Sequence, residues 1–127
     1  MKTIIKRIIL LGAMLLPLFA HAVGESYTQE KLDALNKVGG PALVFIHAEW
    51  CSTCRVQDKI LSELLPTNEF KGIATLHVDF DAQKSVVRAF GAQYQSTLII
   101  FKGGKEVARS TAETDRERIA ALLRKAL

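Results

Sequence analysis

Residues 42–54 have the sequence ALVFIHAEWCSTC, an apolar run that leads directly into two cysteines. The run is rich in branched and aromatic side chains, and Gly39-Gly40-Pro41 breaks the chain before it. A continuous apolar run bounded by turn residues is typical of a strand that is buried on both faces of a sheet. We therefore predict a central strand over residues 42–47, with Cys51 and Cys54 just beyond its end.

The segment after the cysteines has a helical period. Its apolar residues recur near every 3.6 positions, and they are Val56, Ile60, Leu61, Leu64 and Leu65. No glycine interrupts them, so we predict a helix that starts at about Cys51 and ends before Pro66. Both cysteines then lie in the first turn of this helix.

The segments on either side of this unit also have regular patterns. Ser26 begins a capping-box pattern that a helical stripe of apolar residues follows, which predicts a first helix. Residues 73–79 predict a second strand. Asp81 can cap a further helix, which Gly91 ends. Together with the central strand, these segments predict a β-α-β-α unit that follows an opening helix.

The C-terminal part predicts a hairpin and a last helix. Residues 97–101 and 105–109 have strand character, and Gly103-Gly104 between them indicates a tight turn, so the strands are antiparallel neighbours. Thr114 begins a second capping-box pattern ahead of the last helix. The order α-β-α-β-α-β-β-α indicates an α/β fold, with a mixed central sheet of about four strands and helices on both faces.

The first 22 residues differ in kind from the rest. They have a basic start, an apolar middle and small residues where a signal peptidase cuts, namely Lys2, Lys6 and Arg7, then Ile8 to Phe19, then Ala20-His21-Ala22. We predict a signal peptide over residues 1–22, cleavage between Ala22 and Val23, and a mature domain over residues 23–127 that is periplasmic or secreted. A retained membrane anchor is the alternative, although the apolar run is shorter than the roughly 20 residues that span a bilayer.

Composition argues against several classes of protein. The chain has 127 residues, of which 49% are hydrophobic and 24% charged, as expected for one globular domain. The predicted signal peptide contains three of the 17 basic residues and none of the 13 acidic ones, so the predicted mature chain has a net charge of +1. The mature part has no cluster of basic residues of the kind that follows phosphates, so we expect no nucleic-acid partner.

The two cysteines could staple the fold, hold a metal or carry electrons. A disulfide between Cys51 and Cys54 closes a very short loop and adds little stability. Structural zinc needs four ligands, and the predicted mature chain offers only His47 and His77 besides the cysteines. His47 could point away from Cys51, and His77 in a strand is more simply an ordinary sheet residue. A metal held by one chain is therefore disfavoured, while a cluster shared between two chains stays open.

The position of the cysteines suits electron transfer. Side chains at i and i+3 of a helix lie on the same side, so the two sulfurs can close a reversible disulfide. Unpaired N–H groups and the helix dipole would favour an exposed thiolate at Cys51, the form that attacks disulfides. Cys54, one turn further in, would resolve the mixed disulfide.

Two stretches together resemble thioredoxin: AEWCSTC at residues 48–54 and FGAQYQSTLIIFKGGKEV at residues 90–107. The likeness spans about Tyr27 to Leu127. It implies a thioredoxin fold and a redox-active Cys51–Cys54 disulfide, with Cys51 attacking and Cys54 resolving. It also places three groups of binding or tuning residues around the cysteines: Trp50 beside them, Ser52 and Thr53 between them, and Gln95, Ser96 and Thr97 in the facing loop.

The chain departs from the family pattern in that facing loop. Ser96 stands where thioredoxins have a cis-proline, so we predict a trans Gln95–Ser96 peptide and a loop that can offer an N–H and a hydroxyl near Cys51. The glycine that often precedes the last helix is also not evident among Thr111-Ala112-Glu113. We expect both changes to reshape the substrate groove.

The surroundings of the cysteines depart from the pattern as well. Phe45 and Thr75 stand where thioredoxins have a buried aspartate and a nearby lysine, which removes the usual proton acceptor for Cys54. Glu49, Ser52, Thr53 or water could replace it. Ser52-Thr53 also replaces the Gly-Pro pair between the cysteines, a pair that affects the redox poise.

The resemblance implies an exported thiol-disulfide oxidoreductase. About 105 mature residues leave no room for the extra domains of periplasmic oxidants and isomerases, which favours a reductant or an electron relay. Its implied partners are oxidised extracytoplasmic proteins as substrates and a membrane thiol-disulfide protein as electron donor. We expect a monomer with no cofactor beyond its own disulfide. The alternative is a thioredoxin-fold binding module whose cysteines hold a metal, an iron–sulfur centre or a partner without turnover.

Overall fold

The computed structural model describes residues 23–127, so the predicted signal peptide lies outside the described residues. The strands are β1 (Glu25–Ser26), β2 (Ala42–His47), β3 (Ala74–Asp79), β4 (Thr97–Lys102) and β5 (Lys105–Thr111). The helices are α1 (Gln29–Val38), α2 (Ser52–Leu64), α3 (Lys84–Ala89) and α4 (Arg116–Arg124). Within residues 23–127, none of the helices combines the length and the apolar character needed to cross a bilayer.

The strands form one mixed sheet in the order β1-β3-β2-β4-β5. β2 lies in the middle, parallel to β3 and antiparallel to β4, and all six of its residues are buried. The predicted α/β fold and the β4–β5 hairpin are confirmed, and Gly103 and Gly104 both have the positive φ angles that such a turn requires. The sheet has five strands rather than about four. The additional strand is β1, which is easily missed because it pairs with β3 through two residues only.

Helices cover both faces of the sheet. Alternate residues of β2 and β4 point to opposite faces, so each face has its own apolar cluster. The cluster under α2 and α4 contains Leu43, Phe45, Leu98 and Ile100 from the sheet together with both cysteines. The cluster under α1 and α3 contains Val44, Ile46 and Ile99. Both cysteines therefore belong to the α2–α4 face.

Both predicted capping boxes are displaced in the structure. Thr28, rather than Ser26, is the N-cap of α1, and its hydroxyl accepts the N–H of Lys31. Ser26 instead pairs with β3 as part of β1. Asp115, rather than Thr114, caps α4. In each case several neighbouring side chains can cap a helix, and the tertiary contacts of the chain decide which one does.

The predicted buried stripe of α2 is partly wrong. Val56 is 45% exposed, whereas the buried positions of this helix are Cys54, Gln57, Leu61 and Leu64. The helix itself ends at Leu64, ahead of Pro66, as predicted. The two cysteines and a glutamine thus share the face that α2 turns towards the core.

Candidate functional site

The two cysteines lie at the start of α2, directly after β2 and a three-residue connection. Cys51 is the N-cap residue of α2, and its Sγ accepts the backbone N–H of Cys54 at 3.0 Å. Only 3% of Cys51 and none of Cys54 is exposed. The prediction of an exposed Cys51 is therefore wrong. As a helix cap, this side chain folds back over the first turn of α2, which faces the apolar cluster.

The surroundings make the two sulfurs chemically unequal. Burial raises the pKa of the Cys54 thiol to about 12, and the hydrogen bond with Cys51 raises it as well. The backbone N–H groups of Ala48 and Ser96 act in the opposite direction. Cys54 is therefore a thiol at neutral pH. The sulfur of Cys51 instead lies at the N-terminus of α2, where it accepts the backbone N–H of Cys54.

Ser96 has an unusual backbone conformation. Its φ angle is 58°, in the left-handed region, and no peptide bond within residues 23–127 is cis, as predicted for Gln95–Ser96. Proline, whose ring fixes φ near −65°, could not adopt this conformation. The Ser96 hydroxyl donates to the Gln95 carbonyl at 2.6 Å. The backbone of Ser96 acts to lower the pKa of the Cys54 thiol, against the larger effect of burial. The Ser96 backbone thus acts on Cys54, whereas we expected the groups of this loop near Cys51.

Trp50 lies beside the cysteines with 57% of its surface exposed. Its Nε1 donates to the carboxylate of Asp81 at 2.7 Å, and its indole packs edge-on against Phe80. Asp81 was predicted to cap α3, but it is engaged with Trp50, and the N-cap residue of α3 is Gln83. The aspartate thus orients an aromatic side chain at the site.

The other predicted tuning residues have smaller roles in the geometry. Ser52 is exposed and Thr53 half-buried, both in the first turn of α2. Gln95 is half-buried in the facing loop. The Thr97 hydroxyl bonds the Tyr94 carbonyl at 2.9 Å and is 3.0 Å from the Thr111 hydroxyl, so it is occupied within the loop.

Sequence reasoning missed Gln57. This residue is fully buried on α2, three positions after Cys54, and its amide nitrogen donates to the carbonyls of Ser96 at 3.1 Å and Glu113 at 3.0 Å. The only signal in the sequence is its spacing from Cys54, which puts both residues on the same helix face.

Sequence reasoning also missed an ion pair between β2 and α2. The Nε2 of His47 lies 2.7 Å from the Oδ2 of Asp58, and the other carboxylate oxygen of Asp58 accepts the N–H of Val23 at 3.2 Å. His77 lies near the Gly24 carbonyl instead, at 3.2 Å. Among the described residues, no three potential ligands of the Cys, His, Asp or Glu type gather at a site for a metal ion.

The His47–Asp58 pair should make stability depend on pH. The hydrogen bond to Asp58 raises the pKa of His47, burial lowers it, and the charges of Asp58, Glu49 and Asp79 raise it again, with a net upward direction. A folded pKa above the unfolded value of about 6.5 gives stability that is fully present below pH 6.5 and is lost as the pH rises through the folded pKa.

We therefore expect His47→Gln to cost about 1–2 kcal/mol of unfolding free energy near pH 5.5 and distinctly less near pH 9. Urea denaturation of the wild type and the variant at both pH values measures the difference. His77→Gln is the matched control and should show a smaller dependence. An equal cost of His47→Gln at both pH values would contradict the prediction.

Comparisons with known proteins agree with this geometry. A family model described as Thioredoxin matches residues 23–125. A thioredoxin of Chlamydia muridarum is 36% identical over 86 residues, which are 68% of this chain and 82% of that protein. Thioredoxin 1 of a Nostoc species is 30% identical over 108 residues, or 85% and 96% of the two chains.

Solved structures have the same fold. The crystal structure of Trxlp from Edwardsiella tarda has a TM-score of 0.76 and 32% identity, with 78% of this chain and 96% of that chain covered. A thioredoxin mutant from Halobacterium salinarum has a TM-score of 0.69 with coverages of 79% and 86%, and at 21% identity it supports the fold alone.

Proposed function

The chain belongs to the thioredoxin family, a family of thiol-disulfide oxidoreductases, and from this premise we propose that it reduces disulfides of other proteins outside the cytoplasm. Cys51 is the attacking cysteine and Cys54 the resolving one. The observation that carries the assignment is the asymmetry of the pair: the Cys51 sulfur caps α2, while burial keeps Cys54 protonated.

The reaction takes two thiol–disulfide exchanges. The Cys51 thiolate attacks one sulfur of the substrate disulfide, so that a Cys51–substrate bond forms and the substrate S–S bond breaks, releasing a thiolate that takes up a proton. Cys54 then loses its proton and attacks the sulfur of Cys51. The Cys51–Cys54 disulfide forms, and the second substrate sulfur leaves and is protonated. The substrate gains two electrons and two protons, and a dithiol donor reverses the exchange to restore the pair.

The burial of Cys54 explains why it is the resolving cysteine. The site supplies no carboxylate to accept the proton that Cys54 loses in that step. Phe45 is fully buried among the residues that surround both cysteines, and Glu49 is exposed. We infer that the proton of Cys54 leaves to water or to the departing substrate thiolate. Resolution should therefore be the step most sensitive to groups that stabilise the Cys54 thiolate.

The test is a single-turnover reduction of an unrelated protein disulfide by the prereduced chain. One substrate disulfide reduced per chain, with loss of two protein thiols, supports the proposal. Protein purified without oxygen should be assayed for iron, zinc and copper in parallel. Stoichiometric metal together with no disulfide reduction would favour the binding module instead.

The proposed partners follow from the reaction. A reductant in an oxidising compartment needs electrons from elsewhere, so we propose a membrane thiol-disulfide protein as donor and oxidised extracytoplasmic proteins as acceptors. The exposed side chain of Trp50, next to Cys51 in the sequence, offers these partners an aromatic contact.

The proposed export predicts a mature chain that begins at Val23. The basic start, the apolar run and Ala20-His21-Ala22 support cleavage there. Because the Val23 nitrogen lies 3.2 Å from Asp58, cleavage would place an α-ammonium group beside that carboxylate. Intact-mass analysis of the extracytoplasmic fraction checks the prediction. Ala22→Leu, which removes a small residue at the cut, should retain residues 1–22, and a wild-type mass that includes them would contradict cleavage.

A further inference from the structure

We propose that Gln57 is a positioning residue for the resolving cysteine, because its amide ties the strained loop residue Ser96 to the buried face of α2 that also carries Cys54. The inference rests on the two-step exchange proposed above and concerns only the second step. It assigns a role to a buried side chain that does not itself react.

The contacts of Gln57 are directed at the two loops beside the site. Its amide nitrogen donates one N–H to the Ser96 carbonyl at 3.1 Å, ahead of β4, and one to the Glu113 carbonyl at 3.0 Å, after β5. Both partners are acceptors only, so the amide must present its nitrogen to them. Burying a glutamine on an apolar helix face is costly. Both donors of Gln57 are satisfied, whereas its Oε1 is buried without a hydrogen-bond partner among the described residues.

Both loops are strained where the amide holds them. Ser96 and Ala112 are the two residues other than glycine with positive φ angles within residues 23–127, at 58° and 61°. Side chains with a Cβ rarely adopt this conformation, so it persists only where the surroundings enforce it. The Ala112 N–H also donates to the Ser96 carbonyl, at 2.9 Å. The Ser96 carbonyl thus receives two hydrogen bonds, one from each neighbouring element.

Ser96 acts on Cys54 through its own backbone N–H. The Ser96 N–H favours the thiolate of Cys54, and proline at this position would have no N–H to offer. Cys54 and Gln57 are three residues apart on α2 and share its buried face. One rigid helix therefore carries both the sulfur and the amide that keeps a hydrogen-bond donor against it. Without the amide, the Ser96 carbonyl keeps only the hydrogen bond from Ala112, so the loop is held less firmly in the left-handed region.

The test is Gln57→Met, which keeps the length and burial of the side chain and removes its donors. The Ser96 carbonyl keeps the N–H of Ala112, and Glu113 is partly exposed, so its carbonyl can be hydrated and the variant should fold. We expect the rate of mixed-disulfide resolution to fall about tenfold, on the scale of losing one hydrogen bond. Formation of the mixed disulfide by Cys51 should change less than about twofold.

Gln83→Met is the matched control. Gln83 also bonds backbone groups on both sides, the Tyr27 carbonyl at 3.2 Å and the Asp79 N–H at 2.9 Å, but it lies near α3. It should leave both rates within about twofold of the wild type. Gln57→Met with unchanged resolution, or with both steps slowed equally, would overturn the proposal.

A second variant covers the case in which Gln57→Met does not fold. In Gln57→Glu the ionised carboxylate cannot donate to the two carbonyls, while the protonated carboxyl can donate one hydrogen bond. Resolution relative to the wild type should be slow at neutral pH and should recover as the pH is lowered. Absence of recovery in a folded variant would overturn the proposal.

One measurement needs no protein substrate and so separates this inference from the proposed function. In a Cys51→Ser background, the rate at which a small reagent alkylates Cys54 at alkaline pH reports its thiolate fraction. Gln57→Met should lower that rate about fivefold, and Gln83→Met should not. A wild type that reduces no protein disulfide would defeat the reductase proposal, whereas equal alkylation rates would defeat the positioning role.

Discussion

Cys51→Ser should lower the rate of disulfide reduction by at least about 10³-fold, the scale on which loss of a nucleophile acts. The hydroxyl that replaces the thiol is a weak nucleophile at neutral pH, and Cys54, fully buried with a pKa of about 12, cannot substitute for it. Single-turnover reduction of a protein disulfide, followed by counting of the product thiols, measures the loss.

Cys54→Ser is the companion variant and should behave differently. Its Cys51 can still attack, but no second thiol resolves the product, so a mixed disulfide with the substrate should accumulate. Non-reducing gels after acid quenching show the trapped species, and Cys51→Ser should trap none. Equal trapping by the two variants would contradict the division of labour that the burial of Cys54 implies.

Phe45→Ala should lower the free energy of unfolding by about 3–5 kcal/mol, the range for removing a buried aromatic side chain. Phe45 is 0% exposed at the middle of the central strand, where its ring packs among the residues of the α2–α4 face and edge-on to His47. The truncation leaves a cavity under the first turn of α2. Urea denaturation of the reduced protein measures the cost.

Val107→Ala is the control for this prediction. Val107 is an apolar residue of β5 that is 45% exposed, so its truncation should cost less than about 0.5 kcal/mol. Phe45→Leu should fall between the two because it fills part of the cavity. A cost below about 1 kcal/mol for Phe45→Ala would contradict the prediction, because it would mean that the neighbouring side chains fill the space that the ring leaves.

Elements with strong local patterns could be predicted from the sequence. The apolar run of residues 42–47 corresponds to β2, and Gly103-Gly104 marks the β4–β5 turn. β1 could not be predicted, because two exposed residues carry no alternation and their pairing depends on β3. The choice of Thr28 rather than Ser26 as the cap of α1 could not be predicted for the same reason, because Ser26 is part of β1.

Only the features of the site that depend on residues close together in the sequence could be predicted. The spacing of Cys51 and Cys54 at a helix start indicated the chemistry, but not that both sulfurs are buried, because burial depends on the cluster that α2 packs against. The Gln57–Ser96 contact joins residues 39 positions apart, and the His47–Asp58 contact joins residues on a strand and a helix. No periodicity in one segment encodes such pairs.

The indole of Trp50 gives the site an optical signature. Trp50 is the only tryptophan in the chain, so all tryptophan fluorescence of the protein comes from a side chain adjacent in sequence to Cys51. Its ring is 57% exposed, and its nitrogen is held by Asp81. An emission spectrum therefore reads out the surroundings of the cysteine pair without a label, and a docking partner that covers the ring changes the same signal.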